Sequence, residues 1–200
     1  MEQLNRLHKQ IQFIHEVDKI KYILRRTRLF NSDRAENDAE HSWHLSIMAM
    51  VLAEHSNEPI DLLKVIKMVL IHDVVEIDAG DVFFFDKTQK HDNRPEEMEA
   101  AKRIFGLLPA DQAEELISIW LEFEEGKSVE ARFAKTLDRL EPMLQNASNQ
   151  GGTWEEYNVK YDEVLDSKRI MKDTATPLWE YTQALLKECV KEGILKENEE

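Results

Sequence analysis

Apolar residues in this chain recur at intervals of three and four along nearly its whole length, and the alternation of a half-buried strand is almost absent. Leu4, Leu7, Ile11, Ile14 and Val17 form one stripe of a helix over residues 3–23. Asn37 or Asp38 can cap a second, running to about residue 56. Its middle, WHLSIMAMVLA, is apolar nearly all round and belongs at the centre of a fold. Pro59 can open a third helix, which continues through Leu62, Val65, Ile66 and Val69 to His72 and beyond. Gly80 marks a break and residues 82–94 read as irregular. Further helices are predicted from Pro95 to about 107, from Pro109 to about 125 and from Ser128 to about 148. Asn149, Gly151 and Gly152 then make a turn, and two last helices cover about 154–172 and 176–193. The expectation is a single compact all-α domain over residues 1–200, with seven or eight helices.

Composition limits the function classes. Two hundred residues with 42% hydrophobic content can bury a core without cross-links, and the lone cysteine, Cys189, offers no disulfide within the chain. An unpaired cysteine fits a reducing compartment, the N-terminal MEQLNRLHKQ lacks the apolar region of a signal peptide, and no stretch approaches the ~18 apolar residues of a membrane span. A cytoplasmic protein without a membrane partner is expected. The formal charge of −14 argues against a nucleic-acid polymer, which needs a basic face to bind. Small anions are still admissible, because one metal ion with one or two arginines makes a local positive site inside an acidic protein.

The stretch LIHDVVEIDAGD, residues 70–81, ends an apolar run in a cluster that includes His72, Asp73, Glu76, Gly80 and Asp81. Desolvating carboxylates costs several kcal/mol each unless they are paired or bound to a cation, so this cluster calls for a counter-charge. Val65, Val69, His72 and Glu76 share one helical stripe, and Asp73 lies about 100° round from His72. Elsewhere, His41 shares a stripe with Leu45, Met48 and Leu52, and Asp138 lies between Leu137 and Leu140 in FAKTLDRLEP. Taken singly, each has a structural explanation as a hydrogen-bonded core histidine or an ion-paired acid. Taken together, two inward histidines and two acids from three helices suit a divalent cation, for which imidazole nitrogen and carboxylate oxygen are both good ligands.

The blocks AEHS at 39–42, HDVVEIDAGD at 72–81 and LDRLE at 137–141 resemble the HD-domain phosphohydrolase superfamily, and within it the branch of 5′-deoxynucleotidase-like proteins. The likeness covers roughly residues 20–145, and the helices at about 154–193 contribute little to it. It implies metal ligands at His41, His72, Asp73 and Asp138, and a proton-transfer role for Glu76. It also implies a phosphate contact from an arginine ahead of the first ligand and a sugar contact from Asp81. Arg26 is the favoured arginine among Arg25, Arg26, Arg28 and Arg34. Four protein ligands leave room for water and a phosphate oxygen only above four-coordination, which favours Mn²⁺, Co²⁺ or Mg²⁺ over a tetrahedral zinc. Where the deoxynucleotidase pattern has a Trp after that arginine, thought to crowd a ribose 2′-hydroxyl, this chain has Thr27. The implied activity is hydrolysis of a nucleoside or deoxynucleoside 5′-monophosphate by a homodimer. A cyclic-nucleotide or nucleoside-triphosphate hydrolase, and a nucleotide-binding module without turnover, are the alternatives.

Overall fold

The first helix is shorter than its apolar stripe. In a computed structural model, which describes residues 2–86, 88 and 94–198, α1 (Glu2–Val17) gives way to a 3₁₀ turn over Asp18–Tyr22 that buries Ile20. Phe13 and Val17 pack against the body, whereas Leu4, Leu7, Ile11 and Ile14 remain exposed. Two short strands follow, β1 (Leu24–Arg28) and β2 (Ala35–Asn37), which pair antiparallel with Leu24 opposite Asn37 and Arg28 opposite Ala35. The sequence predicts no strand here, for a physical reason. The side chains turned inward from β1 are Arg25 and Thr27, both polar, so no apolar alternation marks it.

Asn37 starts α2 (Asp38–Leu52) with a reciprocal box: its side chain accepts from the Glu40 amide at 3.0 Å, and the Glu40 carboxylate accepts from the Asn37 amide at 3.2 Å. Asp61, not Pro59, caps α3 (Leu62–Ile71), accepting from the Lys64 amide at 3.2 Å. The helix predicted to run past His72 tightens there into a 3₁₀ turn, His72–Val75, and then α4 (Glu76–Ala79). Residues 82–86 form neither helix nor strand, while 87 and 89–93 of the segment read as irregular lie outside the described residues.

The next three helices fall close to expectation: α5 (Arg94–Phe105), α6 (Ala110–Glu125) and α7 (Val129–Ser148), the last capped by Ser128. The helix predicted over 154–172 is broken into α8 (Thr153–Glu156), α9 (Tyr161–Ser167) and α10 (Ile170–Thr174), and α11 (Thr176–Lys191) ends the series. Asn158, at φ 52°, makes the first break; asparagine is among the few residues that visit the left-handed region readily.

Two apolar clusters organise these elements. Leu45, Met48, Met68, Val69, Phe133 and Leu137 belong to the larger one, built from α2, α3, α7 and the C-terminal helices. Ile20, Val74, Val75, Ile104, Phe105 and Trp120 form the smaller. Each such side chain, fully buried, contributes about 1.5–3 kcal/mol, so both ends of the His72–Val75 turn are firmly anchored. Met68 and Val69 enter one cluster and Val74 and Val75 the other, which leaves His72 and Asp73 on the seam between them. Among the described residues no helix is long and apolar enough to cross a membrane.

Candidate metal centre

The seam gathers ionisable groups from α2, the His72–Val75 turn and α7. His41 is fully buried on α2, with Nε2 3.1 Å from Asp138 Oδ1 on α7. His72 Nδ1 lies 3.0 Å from the Val69 carbonyl, which can only accept, so Nδ1 carries a proton and Nε2 is the nitrogen left to bind an ion. That Nε2 is buried, makes no hydrogen bond among the described residues, and sits 3.0 Å from Asp73 Oδ1 and 3.6 Å from Asp138 Oδ1. Ligands sharing one ion at bonds of about 2.1 Å lie roughly 3.0–3.4 Å apart, from octahedral to tetrahedral geometry, so this spacing suits a common cation. The four residues expected from the sequence as ligands, His41, His72, Asp73 and Asp138, are thus brought together, and the donor set fits a divalent ion.

Charge around the cluster points the same way. Burial opposes a charge on His72, yet Asp73 and Asp138 outweigh it and push the imidazole up to about 9. Burial likewise works against Asp73, but His72 and Arg25 hold it at about 2. A shell that draws in positive charge this strongly is one in which a cation can take the place of protons.

Outer partners were less visible in the sequence. His41 Nδ1 lies 3.3 Å from Glu36 Oε2 and 3.3 Å from Glu141 Oε2, both fully buried, and Gln145 Nε2 donates to Glu36 Oε1 at 2.9 Å. A carboxylate behind a ligating imidazole fixes its orientation and raises its basicity. Glu141 also meets His44 Nδ1 at 3.2 Å, which makes His44 a neighbour of this backing pair. Pro142, one turn past Asp138, has no N–H to return to the Asp138 carbonyl.

A second group, Asp38, Asp73 and Glu76, adjoins the first. The sequence marks Asp38 only as a possible cap, and it is fully buried at the start of α2. Burial and the nearby Asp73 push it up to about 7. Glu76 is raised well above the usual carboxylate range, first by burial and then by Asp73 and Asp38, and its Oε2 has no hydrogen-bond partner among the described residues. Gly80 then turns the chain at φ 77°, conformationally open to glycine, and Asp81 follows it onto the wall of a cavity of about 260 Å³.

The four arginines separate by their partners. Arg25 lines the cavity but is held by Asp73 at 2.8 Å, with Asp38 at 3.5 Å and Glu36 at 3.8 Å. Arg28 pairs with Glu156, and Arg34 makes a two-pronged bond to Glu40 at 2.9 Å on each arm. Arg26 lines the cavity with no ion pair among the described residues. Thr27 is buried beside it, its hydroxyl likewise unpartnered.

Comparison with known proteins follows the same outline. Residues 17–179 match the family model of the HD domain. The chain is 33% identical to human 5′-deoxynucleotidase HDDC2 over 136 residues, 68% of this chain and 65% of that protein, so the match spans just under two thirds of the relative. A 5′-deoxynucleotidase HDDC2 of Dictyostelium discoideum is 29% identical, covering 80% of this chain and 87% of that one. A crystal structure from Magnetospirillum magnetotacticum, described as a predicted metal-dependent phosphohydrolase, superposes with a TM-score of 0.91 at 46% identity over 96% of each chain. With its family model matched over most of its length, this chain belongs to the HD domain family.

Proposed function

We propose that this chain is a metal-dependent phosphomonoester hydrolase acting on nucleoside or deoxynucleoside 5′-monophosphates, releasing the nucleoside and inorganic phosphate. The observation that carries the proposal is the convergence of His41, His72, Asp73 and Asp138 beside a cavity that also holds Glu76, Asp81 and Arg26. The names of the curated relatives support the substrate class.

Those four side chains would hold a single divalent ion, Mn²⁺, Co²⁺ or Mg²⁺ by the count of ligands. When bound, the ion supplies Lewis acidity toward a phosphoryl oxygen and makes water easier to ionise. Glu76 is the proton-transfer group: burial, Asp73 and Asp38 raise its affinity for a proton, which suits it to take one from the attacking water and return it to the departing 5′-oxygen. Arg26 offers its fork to the phosphate and Asp81 its carboxylate to the sugar hydroxyls. Thr27, small and with a free hydroxyl, leaves a ribose 2′-oxygen uncrowded, so ribonucleotides belong in the substrate range.

The same proposal includes a cytoplasmic homodimer. Trp43, Ile47, Met50 and Val51 make an exposed apolar stripe on the outer side of α2, and a second copy would cover it. Cys189, buried and unpaired, suits a reducing compartment.

Phosphate release from a panel of ribo- and deoxyribonucleoside 5′-monophosphates, with each ion added in turn and with cyclic nucleotides and triphosphates alongside, tests the activity. Release from the monophosphates only when the ion is present is the expected result. A metal-replete chain that releases phosphate from none of them overturns the reading.

A further inference from the structure

The C-terminal helices lie outside the stretch that carries the site motifs, yet one of their side chains reaches the cavity. Lys168, in the turn between α9 and α10, is only 6% exposed and lines the same wall system as Arg26, Glu76 and Asp138. The turn is tied to α7 beside the ion cluster, because Arg139 Nη1 donates to the Ser167 carbonyl at 3.2 Å. Among the described residues Lys168 makes no hydrogen bond or ion pair through its ammonium, although Arg25, the other inward cation of this cavity, has three carboxylates within 4 Å. Its surroundings do not welcome the charge: burial and then Arg139 pull it down to about 7, and Asp138 only partly restores it.

A largely buried ammonium that no carboxylate pairs directly is costly to a fold, so its presence at a cavity wall is explained by an anion that arrives from outside. A phosphomonoester dianion carries three non-bridging oxygens, and the ion cluster and Arg26 leave at least one for another donor. Lysine suits that task because its ammonium is a compact charge on a pliable stem. We propose that Lys168 donates to the phosphate group of the substrate, as a binding contact supplied by the C-terminal helices and separate from the metal ligands. This rests on the monophosphate reading above.

The test compares Lys168→Met and Lys168→Arg with the parent, all full-length and metal-replete. It measures steady-state kinetics on the monophosphate panel, inorganic phosphate binding by calorimetry, metal content, and Tm with and without phosphate. Lys168→Met is expected to raise KM and the phosphate Kd by roughly 10- to 100-fold, with kcat changed far less and metal content unchanged. Its Tm without phosphate should equal or exceed the parent's, and phosphate should no longer raise it. Lys168→Arg should restore most of the phosphate affinity. If Lys168→Met does not fold, Lys168→Gln provides the same measurements. A Met or Gln variant that binds phosphate as the parent does overturns the proposal, and so does a parent that binds none. Should the parent bind phosphate through Lys168 yet hydrolyse no monophosphate, the contact stands and the substrate reading fails.

Discussion

Two halves of one cavity treat charge in opposite ways. On the side of α2 and α7, charged groups face opposite charges: His41 meets Asp138, Glu36 and Glu141, His72 meets Asp73 and Asp138, and Arg25 meets Asp73. Along the rest of the lining, Glu76 Oε2 is buried without a hydrogen-bond partner, and Arg26 and Lys168 have no ion pair among the described residues. Both arrangements come from the same packing, so the contrast is one of task. Mutually neutralising groups hold a geometry still, as an ion cage requires. Buried groups left without a partner, as Glu76 and Lys168 are, cost the empty fold and become favourable only when a proton or an anion is delivered to them, whereas Arg26, exposed to solvent, stays free for an anion at little cost.

The largest effect should come from breaking the cage. Asp138→Ala removes a carboxylate that serves both His41 and His72, and is expected to cost more than the roughly 10- to 100-fold in metal affinity that outer partners contribute, abolishing turnover with it. Glu76→Gln is the matching change on the unsatisfied side. It should retain metal, measured by elemental analysis after dialysis, while lowering kcat by roughly 10²- to 10⁴-fold, the usual worth of a positioned acid or base. Equal metal loss in the two variants would move Glu76 into the cage and erase the contrast.

How far the contrast could be read from the chain alone differs between its halves. Regular spacing of apolar residues located α2, α3, α5, α6 and α7, because each buries one face over several turns. The same spacing singled out His41, and motif resemblance joined it to His72, Asp73 and Asp138. Periodicity failed where the inward residues are polar, as with Arg25 and Thr27 on β1, and where helices stop without glycine or proline, as at Lys168. Asp38, Glu36 and Lys168 share this cause: the burial of a single charged residue is decided by distant segments folding over it, and leaves no local trace. Glu141 was inside a motif, but nothing local showed that its carboxylate backs His41.

That backing contact gives an intermediate prediction. Glu141→Gln keeps the volume and an acceptor for His41 Nδ1 but removes the charge, and is expected to weaken metal binding by roughly 10- to 100-fold, read by competition with a chromophoric chelator. Burial opposes ionisation of Glu141, yet His41 and His44 hold it at about 2, so the charge is present throughout the neutral range and its removal should matter at every pH in that range. Unchanged affinity would reduce the contact to packing.

The smallest effects separate two arginines that look alike in the sequence. Arg26→Ala should reduce kcat/KM by roughly 10- to 100-fold, the worth of hydrogen bonds to a charged group, because this guanidinium faces the cavity without a carboxylate. Arg34→Ala breaks a well-formed pair with Glu40, but that pair lies in solvent, where long side chains regain freedom and salt screens the attraction. It should leave kcat/KM within about twofold of the parent. A fall for Arg34→Ala as large as that for Arg26→Ala would mean that the pairing of an arginine does not decide whether it is available to substrate. The division between satisfied and unsatisfied charge would then lose its functional meaning, since Arg34 is already held on both arms by Glu40.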